Sequence, residues 1–216
     1  HDVRRVVMDI ESGGPFSFSA GQYLTVTFPG QAPRDFSMAN RPDQRQLEFH
    51  IRHIPGGGVS GFVASDLTPG MTARVEGPSG VSYLRESHRG PIVAIAGSTG
   101  LAPIVSIVDT ALAMGMRQDI WLYFGVRGEQ DLYLMDRLEG LARDHANLHL
   151  EVVLSEPKGP TPRRKGLVTE AVAFDHSDLD GAKAYIAGPP AMVEAAVPLL
   201  ESLGVRRQDC HADAFY

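Results

Sequence analysis

Three clusters in this 216-residue chain have the residue types and spacing to handle phosphates and flat rings. The first is Gly97-Ser98-Thr99-Gly100-Leu101-Ala102-Pro103, between the apolar run Pro91–Ile95 and a helical pattern from Ile104 to Ala113. A strand that turns on small residues into a helix leaves backbone N–H groups unpaired at the positive end of the helix dipole. Gly97 and Gly100 have no Cβ, so a phosphate or ring can approach the backbone. The segment is neither GxGxxG nor a Walker loop with its lysine; alone, it is equally an ordinary strand–helix turn. The second cluster is Arg34-Asp35-Phe36-Ser37. An arginine clamps phosphate, an aromatic ring stacks on a flat group, and a hydroxyl bonds a ring nitrogen. Strand alternation puts Arg34 and Phe36 on one face and Ser37 on the other, so one ligand meets all three only by wrapping the strand end. A surface arginine beside a core phenylalanine is the plain alternative. The third cluster runs from His50 through Gly56-Gly57-Gly58-Val59-Ser60. Its glycines lead into a helix whose N-cap is read as Ser60, giving a second anion cradle or, alone, a flexible loop before a capped helix.

The elements that must position these clusters fall into two halves that meet near Ser87–Pro91. Residues 1–88 are punctuated by Gly and Pro, with short strand-like runs at Val3–Met8, Tyr23–Phe28, Leu47–Ile54 and Thr72–Val75. That rhythm predicts an antiparallel β-barrel, interrupted by one helix from Ser60 that ends at Thr68-Pro69-Gly70. Residues 89–216 alternate strands (Ile92–Ala96, Ile120–Phe124, Leu148–Leu154, Ala184–Ala187) with helices (Pro103–Met114, Leu132–Asp144, Val168–Ala173, Ala191–Leu203). Alternation of this kind predicts a doubly wound α/β domain on a parallel sheet, with ligands beyond the carboxyl ends of the strands. Gly97–Pro103, Gly125–Arg127 and Gly188–Pro190 fall at those ends.

Composition narrows the function. The net charge is −6 and the acidic excess is spread out, which argues against a nucleic-acid surface. Arg163-Arg164-Lys165 is the one basic cluster, read as a solvated loop. Cys210 is the single cysteine, too few for a disulfide, a zinc site or an iron–sulfur cluster. The eight histidines show no HExxH spacing, so no metal site is expected. No apolar run approaches the roughly 20 residues of a membrane helix, and no secretory signal is present. A cytoplasmic protein without membrane contact is the expectation. The chain opens on His1 and runs directly into strand-like sequence, so the N-terminus of a longer protein is expected to be missing.

Taken in order, the clusters resemble the ferredoxin–NADP reductase superfamily. Its Arg-x-Tyr-Ser signature is here Arg34-Asp35-Phe36-Ser37, and its glycine-rich helix start is Gly56–Ser60. Gly-Gly-Thr-Gly-hydrophobic-Ala-Pro is Gly97–Pro103, and Tyr-Phe-Gly-x-Arg followed by Asp-Leu-Tyr is Tyr123–Arg127 and Asp131–Tyr133. Cys-Gly-Pro-Pro is Ala187-Gly188-Pro189-Pro190. The resemblance spans the chain and is closest to the FAD/NAD(P)H reductase components of aromatic-ring dioxygenases, of the naphthalene dioxygenase type.

That resemblance implies a flavoprotein passing electrons from NADH through FAD to a one-electron acceptor. The acceptor implied is a 2Fe-2S ferredoxin, whose domain is missing here or is a separate protein, with a terminal oxygenase of aromatic hydrocarbon catabolism beyond it. It implies that Arg34, Gly57, Gly58, Val59 and Ser60 hold the FAD pyrophosphate, Phe36 stacks on the isoalloxazine, and Ser37 bonds near N5. His50, Ile51 and Arg52 lie along the same cofactor. Thr99, Gly100, Ala102, Pro103, Gly188, Pro189 and Met192 take NAD(P)H, with Gly125, Arg127 and Asp131 towards the adenosine. Phe215 covers the flavin where nicotinamide enters, or is a core aromatic of the last strand. Ser37, Asp213 and Phe215 carry the catalytic assignment. Phe36 keeps the stacking face of the family tyrosine, and Ala187 replaces the cysteine beside the nicotinamide, which predicts a slower hydride step. NADH is favoured over NADPH, with Arg163, Arg164 and Lys165 the candidate readers of a 2′-phosphate. Two alternatives stay open: a non-catalytic electron-transfer or sensing subunit of a larger complex, and a nucleotide-binding module without flavin.

Overall fold

The structure, a computed structural model, describes residues 1–13 and 16–215. Its first half holds β1 (Val3–Met8), β2 (Tyr23–Thr27), β3 (Arg34–Ser37), β4 (Leu47–Arg52), α1 (Gly58–Ser65) and β5 (Arg74–Ser79). All pairings are antiparallel: β3-β2-β5 form one sheet, β1-β4 another, and a bridge between Met38 and Phe49 links them. The two sheets wrap one core, into which Leu24, Val26, Phe28, Phe49 and Ile51 point, closed by Val59 and Val63 of α1. Strand alternation explains which residues enter it. β5 begins and ends later than the sequence predicts and runs on through Gly77-Pro78. β5 is an edge strand, where proline leaves no ladder bond unmade.

The second half holds β6 (Ile92–Gly97), α2 (Leu101–Ala113), β7 (Ile120–Val126), α3 (Met135–Asp144), β8 (Leu148–Leu154), β9 (Arg164–Lys165), α4 (Val168–Asp175), β10 (Lys183–Gly188), α5 (Pro190–Ser202) and β11 (Cys210–Ala214). The sheet is wholly parallel in the order β11-β10-β6-β7-β8-β9. Helices α2 and α3 cover one face, and α4 and α5 the other. Chain order reverses between β6 and β10, so their carboxyl ends flank the switch point of the sheet. The predicted helix from Leu132 starts only at Met135, because Leu134 adopts a left-handed φ of 56°.

The halves are packed together. Every residue of α2 from Leu101 to Leu112 is buried, because its outer side meets Ala20, Ala39 and Leu84 of the first half. Its polar residues find partners across that boundary: Ser106 Oγ donates to the Asn40 carbonyl at 2.7 Å. β4 is buried on both faces from Leu47 to Ile51. Leu47, Phe49 and Ile51 enter the first core, while the alternate pair Glu48 and His50 leaves from the other face.

Candidate functional site

Two turns define the site. In the first half, the register pairs Val26 with Arg34, Leu24 with Phe36 and Tyr23 with Ser37. Leu24 and Val26 face the core, so Arg34 and Phe36 share that face and Ser37 takes the opposite one. Thr25 Oγ1 donates to Asp35 Oδ1 at 2.6 Å on the outer side. β3 is an edge strand, so Phe36 is only half-buried, in a row with Phe49 at 6.4 Å and Phe28 at 6.3 Å. Arg34 is exposed, and among the described residues no carboxylate pairs with it.

Helix α1 begins two residues before the predicted cap. Its N-cap is Gly57, without a side-chain hydrogen bond. Ser60 is the third helical residue, and its Oγ accepts from the Ile54 N–H at 3.1 Å. It pins the loop instead of capping the helix. A Cβ on Gly57 would stand 2.6 Å from that Oγ, so a larger residue there would displace the hydroxyl from its bond. At Gly58 a Cβ would meet nothing nearer than Gln31 Oε1 at 3.9 Å. The first turn of α1 thus has no side-chain acceptor on its N–H groups and open space beside Gly58, which suits a bound anion.

At the second turn Ser98 takes φ 52° and Ser98–Gly100 form one 3₁₀ turn into α2. The glycines here do a packing job. A Cβ on Gly100 would fall 2.0 Å from the Ala187 carbonyl oxygen, and one on Gly97 would fall 2.7 Å from Met192 Sδ. Gly188, at φ 156°, lies against Gly97 and Met192 in the same way. The expectation that Gly100 admits a ligand is therefore corrected: its missing Cβ lets the helix start sit on β10. Ala102 and Pro103 are buried behind it.

Beside this turn lies a cleft of about 210 Å³. The second half contributes Gly97, Ser98, Gly125, Arg127, Asp131, Ser155, Pro189 and Met192 to its wall, and the first half Asp2, Val3 and Arg52. Arg127 is bonded to Asp131 at 3.0 and 3.3 Å. Arg163 faces Glu129 and Glu139, and Arg164 donates twice to Asp175 at 2.8 and 2.7 Å. The N-terminal N–H of Leu167, before α4, is taken by Glu170 at 2.8 Å. Each of these arginines already holds a carboxylate.

Residues 1–100 match the oxidoreductase FAD-binding domain and residues 94–197 the oxidoreductase NAD-binding domain. The chain belongs to the ferredoxin–NADP reductase superfamily. This reductase-family chain is 48% identical over 217 residues to the ferredoxin–NAD(P)(+) reductase component of the naphthalene 1,2-dioxygenase/salicylate 5-hydroxylase systems of Ralstonia sp.. It is 44% identical over 216 residues to the corresponding component of the naphthalene 1,2-dioxygenase system of Pseudomonas putida. In both cases all of this chain aligns, and it spans 65% of the relative's length. The solved structure of the Amycolatopsis cytochrome P450 reductase GcoB superposes with a TM-score of 0.92 at 37% identity, over 99% of this chain and 65% of that one. Among the described residues, no helix is long and apolar enough to cross a membrane.

The sequence-named residues divide. The end of β2 and the turn after it meet α1 through the Phe28–Phe62 contact at 6.1 Å and the approach of Gln31 to Gly58, and Arg34 and Phe36 lie on the strand that pairs with β2. Arg52 does not join them: its Nε donates to Asp2 Oδ2 at 2.7 Å in the cleft wall. His50 and Ile51 have no free side chain to offer, because His50 is tied up between the halves and Ile51 is in the core. Gly125, Arg127, Asp131, Pro189 and Met192 do line the cleft, whereas Thr99, Gly100, Ala102, Pro103 and Gly188 support it from behind. The Phe215 N–H donates to the Gly188 carbonyl at 2.9 Å and its ring packs on the α2 face. Asp213 stands beside Ala187 and bonds Ser82, not Ser37; burial pushes its carboxyl up, with the Ser82 bond pulling the other way. Ala187 is 2% exposed in the core beneath α2, so its methyl leaves no open gap at the cleft. The sequence reading missed Asp2 and Ser155. Ser155 follows β8 directly, and the rule that ligands lie beyond carboxyl ends points to it; Asp2 carried no signal.

Proposed function

We propose that this chain is an NADH-dependent flavoprotein reductase, with residues 1–88 holding FAD and 89–216 taking the nicotinamide nucleotide. The carrying observation is that the cleft at the switch point is walled by both halves, as a site that brings two ligands together requires. The first turn fits FAD: an unpaired Arg34, uncapped N–H groups at Gly58 and Val59, and the half-buried ring of Phe36. FAD supplies the conversion of a two-electron donor into one-electron steps. In this reading Arg34 and the α1 N-terminus hold the pyrophosphate, Phe36 supports the isoalloxazine, and Ser37, Asp213 and Phe215 frame its reactive edge. Gly97, Ser98, Gly125, Met192 and Pro189 orient the nicotinamide nucleotide. The saturated arginines favour NADH, since a 2′-phosphate must compete with Asp131, Glu129, Glu139 or Asp175. The acceptor is a one-electron carrier of the 2Fe-2S ferredoxin type, serving an oxygenase. One cysteine in 216 residues places that cluster on other residues than these. The test is an absorbance spectrum of the chain loaded with FAD, followed anaerobically after NADH. Bleaching, and reduction of ferricyanide but not of an oxygenase without added ferredoxin, is expected. No bound flavin, or no bleaching, overturns the reading.

A further inference from the structure

A hydrogen-bond path joins β4 to the turn that opens α2, and none of the roles above uses it. His50 leaves β4 towards the second half, with its side chain fully buried and its Nε2 3.0 Å from Glu48 Oε1. A carboxylate only accepts, so Nε2 carries the proton and Nδ1 of the neutral ring is an acceptor. Tyr133, in the segment before α3, fills it. Its hydroxyl lies 3.2 Å from Nδ1, and the two rings meet edge to face at 5.2 Å. The same hydroxyl lies 3.5 Å from the Ser98 carbonyl, in the turn where Ser98 is left-handed. A hydroxyl donates one proton, so Nδ1 and Ser98 are its two alternative acceptors.

The groups facing His50 come from four elements. Glu48 shares its strand, Arg5 of β1 sits 2.9 Å from Glu48, and Arg137 of α3 sits 3.7 Å from Glu48. Arg137 is held in turn at 2.7 Å by Asp109 of α2. Burial pushes the ring's pKa down, Glu48 pulls it up, and Arg137 and Arg5 add to the fall. A second proton on the ring would make Nδ1 a donor and turn the Tyr133 hydroxyl towards Ser98.

We propose that Tyr133 is a positioning residue for hydride transfer: its hydroxyl, donating in turn to His50 of β4, which runs into the flavin turn, and to the Ser98 carbonyl, which opens the nicotinamide turn, keeps the two turns in one frame. The proposal rests on the reductase reading above. Fixing the separation of two reacting partners matters because a shift of about 1 Å can cost on the order of 100-fold in rate.

Tyr133→Phe removes the bridging oxygen and keeps the ring contacts with His50 and Phe124. In the FAD-loaded chain, the limiting rate of anaerobic flavin bleaching by NADH should fall about threefold to tenfold, with the NADH dissociation constant within about twofold of wild type. His50→Gln, whose amide both donates to Glu48 and accepts from Tyr133, should keep a rate near wild type. A second readout needs no turnover. In the isotope-labelled chain, the Thr99 amide, which shares its peptide bond with the Ser98 carbonyl, should shift in Tyr133→Phe. An unchanged limiting rate, or a Thr99 amide that ignores the substitution, overturns the proposal. A wild-type flavin that NADH does not bleach overturns the reductase reading instead, and the Thr99 amide still decides whether the path exists.

Discussion

The two halves each carry a glycine-rich turn that opens a helix, at Gly56–Gly58 and at Gly97–Gly100, and the two are built for different ends. At Gly58 the space a Cβ would take is free, and Arg34, on the same half, is exposed and holds no carboxylate among the described residues. At Gly100 that space holds the Ala187 carbonyl, and Arg127 of the adjoining cleft is already bonded to Asp131. A glycine in a phosphate-binding pattern can thus serve the ligand or serve the packing, and the sequence pattern is the same in both. The charges differ accordingly. An unpaired guanidinium beside open N–H groups suits a dianion that is kept, whereas neutralised arginines suit a nucleotide that must leave after each turnover.

The glycines give the largest contrast. Gly100→Ala drives a methyl into backbone, which no rotamer relieves, and should cost about 4 kcal/mol or more, enough to prevent folding of the second half. Gly58→Ala should fold, with a flavin-free melting temperature at or above wild type, because alanine is favoured over glycine in a helix by about 1 kcal/mol. Its defect should be weaker retention of FAD. A well-folded Gly100→Ala, or Gly58→Ala with unchanged FAD retention, would erase the distinction.

Acid should act on the joint that holds the two turns in one frame. Burial alone would raise the Glu48 carboxyl, but hydrogen bonds and charge from His50 and Arg5 hold it at about 2, against 4.5 unperturbed. A depressed carboxyl stabilises the fold above its unfolded pKa, and the contribution, about 3 kcal/mol, is lost as pH falls through the folded value. His50 and His211 act in the same sense. Burial keeps both below their usual 6.5, His211 at about 4, so the unfolded chain takes up protons first and stability falls as pH drops below 6.5. Urea unfolding should show a midpoint that declines from about pH 7 to pH 3. Glu48→Gln should be destabilised at neutral pH and flatten the lower limb of that decline. A wild-type midpoint that holds steady to pH 3 would contradict this assignment.

What the sequence disclosed followed burial. β6 is a continuous apolar run and β8 is interrupted only by His149 and Glu151, and their predicted spans hold to within one residue. β11 was expected only as an unbounded last strand before Phe215, because Cys210-His211-Ala212-Asp213-Ala214 has no apolar run from which to read its span. It is an edge strand covered by α5 and by residues of the first half, and its pairing with β10 supplies the order. The start of α1 was misplaced because Ser60 has the type of a cap while its hydroxyl serves the Ile54 loop. Motifs placed at carboxyl ends of strands were found where local pattern predicts them. Contacts between residues far apart in the chain, such as Asp2 with Arg52 within the first half or Tyr133 with His50 across the halves, join residues 50 and 83 positions apart and leave no local trace.

Arg34→Ala tests the charge side of the contrast. A charged clamp on a phosphate contributes about 1.5–3 kcal/mol, so FAD affinity should fall by about tenfold to 100-fold. Arg127→Ala removes a guanidinium that Asp131 already occupies, and NADH affinity should change far less. Equilibrium dialysis of FAD and titration with NADH measure the two. Equal losses in the two variants would mean that both turns hold their ligands by the same device.

The smallest effect is expected from unpairing that second arginine. Asp131 is nearly buried, while Arg127 is half exposed and bonded to it through two nitrogens. Asp131→Asn keeps the shape and removes the negative charge, which leaves Arg127 free to meet a 2′-phosphate. Because Arg127 is in water, the gain is the modest one of an exposed ion pair, about 0.2–1 kcal/mol, or up to about fivefold. The ratio of kcat/KM for NADPH to that for NADH should rise by that factor, and the rise should shrink in high salt, as screening of exposed charges requires. A ratio that does not change would place the 2′-position of the ribose elsewhere in the cleft, with Arg163 beside Glu129 and Glu139 as the next pair to unlock.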